Sequence, residues 1–277
     1  MSFSDATLLL IGHGSTVNGD SGATVYQHAA ELRRRGLFAE VREAFFKIEP
    51  RIGPVLAGIR TPHVFAVPLF VSEGYFTRQA IPCELGLPAG AQDVMPARVR
   101  RGEQTLFYCD PVGTHPLMTE VILARAQQAV AEANSTSAVA RSTTALVIAG
   151  HGTPLNPDSR KSVERQVERI VARQRFAEVH SAFLEEAPRI ADIPRFVSAP
   201  NIVVVPFFMS DGLHVCEDIP VLLGEREEIV QARLKAGAWP WQNPLQRAGK
   251  TIFYTRGVGS EPGIAEVILE RVRAAAA

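Results

Sequence analysis

Two stretches decide the fold when set side by side: Leu8-Leu-Leu-Ile-Gly-His-Gly14 and Leu146-Val-Ile-Ala-Gly-His-Gly152, 138 positions apart. Each is a short apolar run that ends in a Gly-His-Gly turn, the pattern of a buried strand running into a loop. The same shift carries Phe38-Ala-Glu-Val onto Phe176-Ala-Glu-Val and Pro50-Arg-Ile onto Pro188-Arg-Ile. It also carries Val67-Pro-Leu-Phe-Val-Ser-Glu-Gly onto Val205-Pro-Phe-Phe-Met-Ser-Asp-Gly. An eight-residue insertion around Trp239-Pro-Trp-Gln-Asn-Pro moves the offset to 146, after which Glu120-Val-Ile-Leu meets Glu266-Val-Ile-Leu. Two copies of this length indicate duplicated domains and exclude a solenoid of short repeats.

Within each copy, apolar runs alternate with amphipathic stretches. Strands are predicted at 7–11, 41–46, 63–70 and 105–109, and again at 145–149, 178–184, 201–208 and 250–255. A helix is predicted over 159–174, with Asn156 or Asp158 as its N-cap. Strands alternating with helices imply right-handed βαβ crossovers and a parallel sheet. The expected fold is α/β, two tandem domains, each a small doubly wound parallel sheet flanked by helices. The first domain spans 1–132, a small polar linker 133–144, and the second domain 145–277.

The 277 residues carry 29 basic and 29 acidic side chains, with 46% hydrophobic residues. A formally neutral chain argues against a dedicated nucleic-acid binder and favours a small-molecule substrate. The N-terminal stretch lacks the basic region of a signal peptide, and no apolar run approaches bilayer length. Cys83, Cys109 and Cys216 lie far apart without metal-binding spacing, which fits reduced thiols. The expected compartment is the cytoplasm, with no membrane partner.

Open parallel sheets bind ligands beyond the carboxyl ends of their strands. In the second copy that edge collects His151, after the first strand, Glu185, at the end of the second, and His214, after the third. Glu186 is the rival to Glu185, because a one-residue register slip exchanges them. Two imidazoles and a carboxylate suit a divalent first-row metal with open coordination positions. The glycines flanking His151 are expected to let a ligand approach the backbone. In the first copy His13 matches His151, but Lys47 stands in place of Glu185 and Phe76 in place of His214. Neither replacement ligates a cation at neutral pH, so metal chemistry is expected in the second copy alone. His180, on the strand leading to Glu185, is expected on the opposite face; His28 lies on a helix and His63 before a strand, and His115 reads as a loop histidine on the site side of the first copy, with contact to substrate as its alternative.

The motifs Gly150-His-Gly-Thr, Ala182-Phe-Leu-Glu and the long run from Val204 to Pro220 resemble the sirohydrochlorin chelatases of the CbiX/SirB group. That group lies within the class II chelatase family that includes CbiK and ferrochelatase, and the resemblance covers nearly the whole chain. It implies a chelatase-like fold and a lyase that inserts Co²⁺ or Fe²⁺ into sirohydrochlorin, for cobalamin or siroheme biosynthesis, releasing both pyrrole protons. It implies that His151, Glu185 and His214 hold the metal or move protons. No permanently bound cofactor is implied; the divalent metal is a substrate. Sirohydrochlorin is a polycarboxylate, so His13, Lys47, Arg78, Arg160 and Lys161 are candidates for contacting it. A monomer or homodimer is expected. One alternative is a non-catalytic tetrapyrrole or metal carrier with the same ligands. A histidine phosphatase is disfavoured, because Gly12 and Gly150 occupy the place of its phosphate-clamping arginine.

Overall fold

The structure, a computed structural model, describes residues 3–16, 19–88, 95–132, 141–153 and 157–277. The first copy contributes β1 (Phe3–Gly12), β2 (Phe38–Phe45), β3 (His63–Pro68), β4 (Ala97–Arg101) and β5 (Gln104–Tyr108). These form one sheet in the order β2-β1-β3-β5-β4. The second copy contributes β6 (Thr144–Gly150), β7 (Glu178–Phe183), β8 (Asn201–Pro206), β9 (Leu245–Arg247) and β10 (Lys250–Tyr254). Their order is β7-β6-β8-β10-β9, the same topology.

Four strands of each sheet run parallel, as the βαβ pattern requires, but β4 and β9 pair antiparallel with β5 and β10. Each sheet is thus a four-stranded parallel core with one antiparallel edge strand. Ala97–Arg101 reads Ala-Arg-Val-Arg-Arg, and its guanidiniums keep that edge in solvent, so it presents no apolar run to recognise. The central strand β6, by contrast, is buried at every residue from Thr144 to Gly150, because helices cover both faces of the parallel core.

The helices are α1 (Ala23–Arg35), α2 (Ile52–Gly58), α3 (Ile81–Glu84), α4 (Met118–Glu132), α5 (Asp158–Val171), α6 (Ile193–Phe196), α7 (Ile219–Leu223), α8 (Glu227–Lys235) and α9 (Ile264–Ala276). In α5, Ser162, Val163, Gln166 and Ile170 are buried at helical spacing. Asp158 is its first helical residue and Pro157 takes the N-cap position, while Asn156 lies outside the described residues. Among the described residues no helix is long and apolar enough to cross a membrane.

By packing, the chain divides into one unit of residues 1–118 with 262–277 and another of residues 119–261. These units do not coincide with the sequence copies, 1–132 and 145–277, because the last helix of each copy is exchanged. In the first unit α9 packs on β3, β5 and α1, and Arg271 donates to Pro111 O at 2.8 Å and Thr114 Oγ1 at 2.6 Å. In the second unit Thr119 of α4 donates to Gln166 of α5 at 2.7 Å, and Arg125 donates to Ser260 Oγ at 3.0 Å. Arg125 and Arg271 are copy equivalents, so both exchanged helices are pinned by the same guanidinium. Of the expected linker, 133–140 lie outside the described residues, Arg141–Thr143 form one 3₁₀ turn, and Thr144 already begins β6.

Candidate functional site

Three strand ends build the site in the second unit. After β6, Gly150-His151-Gly152 turns the chain away from the sheet. A side chain at Gly150 would meet Val163 Cγ2 at 2.8 Å, and one at Gly152 would meet Glu186 Cγ and Phe183 Cβ at 2.7 and 2.8 Å. Gly152 also has φ +65°, a backbone region that favours glycine. The glycines are thus fixed by helix, strand and Glu186 packing. Next to them, the Glu185 and Leu184 N–H groups donate to His151 O at 3.1 and 3.0 Å, locking the end of β7 beside the turn.

This brings His151 Nε2 within 3.8 Å of Glu185 Oε1. The ring of His214 stands edge-on to that of His151, with centroids 4.9 Å apart and planes at 80°. His214 opens a five-residue π-helical turn, His214–Asp218, an irregularity often found at functional positions. Tyr254 anchors this turn from below, its buried hydroxyl donating to Val215 O at 2.6 Å.

Two hydrogen bonds define the imidazole tautomers. His151 Nδ1 lies 2.7 Å from Gly152 O, and a carbonyl only accepts, so Nδ1 carries the proton. His214 Nδ1 lies 2.6 Å from Asp218 Oδ2, a carboxylate–imidazole pair. In the neutral form of each ring, Nε2 is therefore the lone-pair nitrogen. The surrounding cavity, about 460 Å³, is lined by His151, Glu185, His214, Glu217, Asp218 and Glu227 together with apolar side chains and Gln231. Four carboxylates and, among the described residues, no ammonium or guanidinium line it, a composition that attracts cations. Among the described residues no three His, Cys, Asp or Glu side chains form a ready-made metal-binding group. The three expected residues converge, but more loosely than ligands around a resident ion.

Glu186 points elsewhere. Its Oε2 accepts from Arg160 Nε at 3.0 Å, and Arg160 also donates to Glu164 at 2.9 Å and to Ala187 O, and covers the Phe183 ring at 4.6 Å. Arg160 is thereby spent on structure. Lys161 lies 3.6 Å from Asp158. Neither lines the cavity.

The first unit repeats the geometry with different chemistry. Lys47 N–H donates to His13 O at 2.8 Å, as Glu185 N–H does to His151 O. The Phe76 ring stands on His13 with centroids 4.6 Å apart and planes at 83°, matching the His214–His151 pair. Ala80 replaces Asp218 and Gln79 replaces Glu217. Burial and the Lys47 charge hold the His13 imidazole below its ordinary pKa. Lys47 is exposed, and Arg78 is tied to Glu73 at 2.5 Å. The remaining histidines serve structure: His28 is buried in α1, His63 lies 3.2 Å from Asp5, and His180 lies 2.8 Å from Glu178. His115 Nδ1 accepts the Leu117 N–H at 3.2 Å.

Asp218, Glu217 and Glu227 are the site residues that sequence reasoning missed. The signal for Asp218 was present: it lies four residues after His214, on the same face of any helical turn.

Fold and cavity together define a duplicated α/β protein whose second copy has a carboxylate-lined cavity beside His151 and His214, where the first copy has Lys47, Phe76 and Ala80 at the equivalent positions. The chain belongs to the CbiX family, whose model matches it twice, over residues 7–129 and 145–275. A Halobacterium salinarum protein named probable sirohydrochlorin cobaltochelatase is 38% identical, over 98% of this chain and 91% of the relative. The sirohydrochlorin cobaltochelatase of Methanopyrus kandleri is 30% identical over 47% of this chain and 96% of its own length, so it matches a single copy. A multi-domain Deinococcus radiodurans protein described as structurally similar to chelatases superposes with TM-score 0.77 and 28% identity, over 96% of this chain and 54% of that one. Bacillus subtilis SirB in complex with cobalt shares the fold, with TM-score 0.64 and 17% identity over 100% of this chain and 96% of its own.

Proposed function

We propose that the protein is a chelatase that inserts Co²⁺ or Fe²⁺ into sirohydrochlorin, with His151, Glu185 and His214 as the residues that carry the reaction. The observation that bears most weight is the carboxylate-lined cavity in which His151 Nε2 stands 3.8 Å from Glu185 Oε1 and the His214 ring lies 4.9 Å from that of His151. Tetrahedral ligands at about 2.1 Å from a metal stand about 3.4 Å apart. The 3.8 Å separation of His151 Nε2 and Glu185 Oε1 is a few tenths wider, so slight closure suffices to grip the incoming ion.

Loose holding suits a metal that must be given up. The macrocycle exchanges both pyrrole N–H protons for the cation, so the site needs an acceptor as well as a holder. His214 Nε2 is placed to be that acceptor, because a proton taken there leaves an imidazolium whose Nδ1–H is held by Asp218. Glu185, half-exposed beside His151, is the second acceptor. Lys47 and Arg78, at the corresponding edge of the first unit, are proposed to meet the substrate's carboxylates. Both ions suit a donor set of two nitrogens and one oxygen, and the pathway served, cobalamin or siroheme biosynthesis, follows from which is inserted. Three thiols, none of them in a disulfide, support a cytoplasmic setting.

The deciding experiment mixes anaerobic protein, well below substrate concentration, with sirohydrochlorin and Co²⁺ or Fe²⁺ and follows the macrocycle's visible spectrum. Multiple turnovers that disappear in His214→Ala are expected. Binding without turnover would make the protein a carrier, and undiminished turnover in His214→Ala would remove the assigned site.

A further inference from the structure

The insertion Trp239-Pro-Trp-Gln-Asn-Pro244, which breaks the register between the copies, takes no part in the site above. It lies against the end of β10 and, with α4, encloses a second cavity of about 320 Å³ in the same unit, lined in part by Arg125, Gln128, Trp239, Asn243, Thr255 and Arg256. The frame is firmly held. Trp241 is buried and donates to Asn243 Oδ1 at 2.8 Å; the same oxygen accepts Tyr254 N–H at 2.8 Å, and Asn243 Nδ2 donates to Tyr254 O at 2.9 Å. Arg233 secures the loop through Pro240 O at 2.9 Å.

On this frame Trp239 lies parallel to Tyr254, ring centroids 6.0 Å apart, and carries the Arg256 guanidinium 4.4 Å above its ring. Arg256 is half-exposed and has one carboxylate neighbour among the described residues, Asp211 at 3.2 Å, which also accepts the Gly257 N–H at 2.7 Å. Arg125 is buried and ordered by Gln128 at 3.0 Å, Ser260 at 3.0 Å and Glu261 at 3.2 Å. No carboxylate lines this cavity among the described residues, the reverse of the site around His151. In the first copy Asp110 stands where Arg256 does and the insertion is missing, so this feature belongs to the equipped copy alone.

We infer that this cavity binds a carboxylate of an organic anion, with Arg256 as the contacting residue and Trp239 as the platform that positions it. A planar guanidinium matches a carboxylate through two parallel N–H donors. Asp211 and Glu261 already offset much of the positive charge, which suits a monoanionic carboxylate better than a phosphate dianion. On the function proposed above, the carboxylate is one from the rim of the macrocycle, which places an anion anchor on the same sheet edge as the cation site. A separate small organic acid is the other source of the same chemistry.

Calorimetric titrations of the full-length protein with metal-free sirohydrochlorin, with succinate and with inorganic phosphate separate these cases. Arg256→Gln is expected to weaken sirohydrochlorin binding about tenfold, the size of one charge-assisted hydrogen bond at a half-exposed position. Arg256→Lys should fall between the two, and Co²⁺ affinity should remain that of the wild type. Unchanged sirohydrochlorin binding with weakened succinate binding assigns the cavity to a separate acid. Wild-type affinity of Arg256→Gln for both carboxylate probes, or saturable binding of phosphate alone, overturns the inference. Because these titrations contain no metal, they remain decisive even if the protein proves not to turn over.

Discussion

Asp218 Oδ2 holds the Nδ1 proton of His214 at 2.6 Å, four residues along a π-helical turn that exists in both copies but bears this pair in only one. The carboxylate does for His214 what the Gly152 carbonyl does for His151, orienting the ring and assigning its lone-pair nitrogen. It adds a charge that stabilises the protonated imidazole. Asp218→Asn retains the shape and loses that charge. Co²⁺ affinity and turnover are expected to fall between about tenfold and a hundredfold, the usual cost of losing such an orienting partner. Titration calorimetry and the spectral assay check the two quantities.

Glu185 and Glu186 are neighbours in sequence with separate roles. Glu185→Gln should lower turnover about a hundredfold by removing a metal ligand or proton acceptor, with little change in stability. Glu186→Gln should leave turnover near wild type and cost about 1 kcal/mol in urea unfolding, because Arg160 loses its partner at a partly exposed position. The reverse assignment of effects would show that the strand end is used in the other register.

The first unit offers a gain-of-function test. Its ring-on-ring geometry already matches the second, with Phe76 on His13 as His214 is on His151. The double variant Lys47→Glu/Phe76→His supplies the missing donor types on that frame. A second equivalent of Co²⁺ is expected in the variant's binding isotherm, weaker than the first because Ala80 provides no partner for the new imidazole. An unchanged stoichiometry would mean that backbone equivalence is insufficient.

His13 gives a prediction about pH. Burial first, and the Lys47 charge second, lower its folded pKa below 6.5. Between 6.5 and that lower value the unfolded chain binds a proton that the folded chain refuses. The contribution of neutral His13 is therefore complete above pH 6.5 and is lost as pH falls through this window. Urea unfolding of the wild type and His13→Gln from about pH 7 to about pH 5 should show the smaller loss in the variant.

What the sequence disclosed follows from where its signals lie. The central strands were legible because strands covered on both faces must be continuously apolar, as Thr144–Gly150 is, while Phe38–Phe45 and Glu178–Phe183 at the sheet edges were legible from the repeat that carries one onto the other. The polar edge strands Ala97–Arg101 and Leu245–Arg247 carried no such signal. Convergence of His151, Glu185 and His214 was legible from topology, since parallel strands bring their carboxyl ends together. The fates of Arg160 and Lys161 were not, because a basic residue on a helix reads the same whether it meets a ligand or a neighbouring carboxylate. The destination of α4 was equally hidden: an amphipathic helix declares that it has an apolar face, not which sheet will cover it.

The exchange of α4 and α9 sets a limit on how this protein can be divided or simplified. A cut between the copies yields two fragments that each lack a helix their own sheet needs and carry one meant for the other. The first copy thus has a structural duty of its own, supplying α4 to the unit of residues 119–261. Losing it would strip Arg125 and its helix from the copy that holds the site.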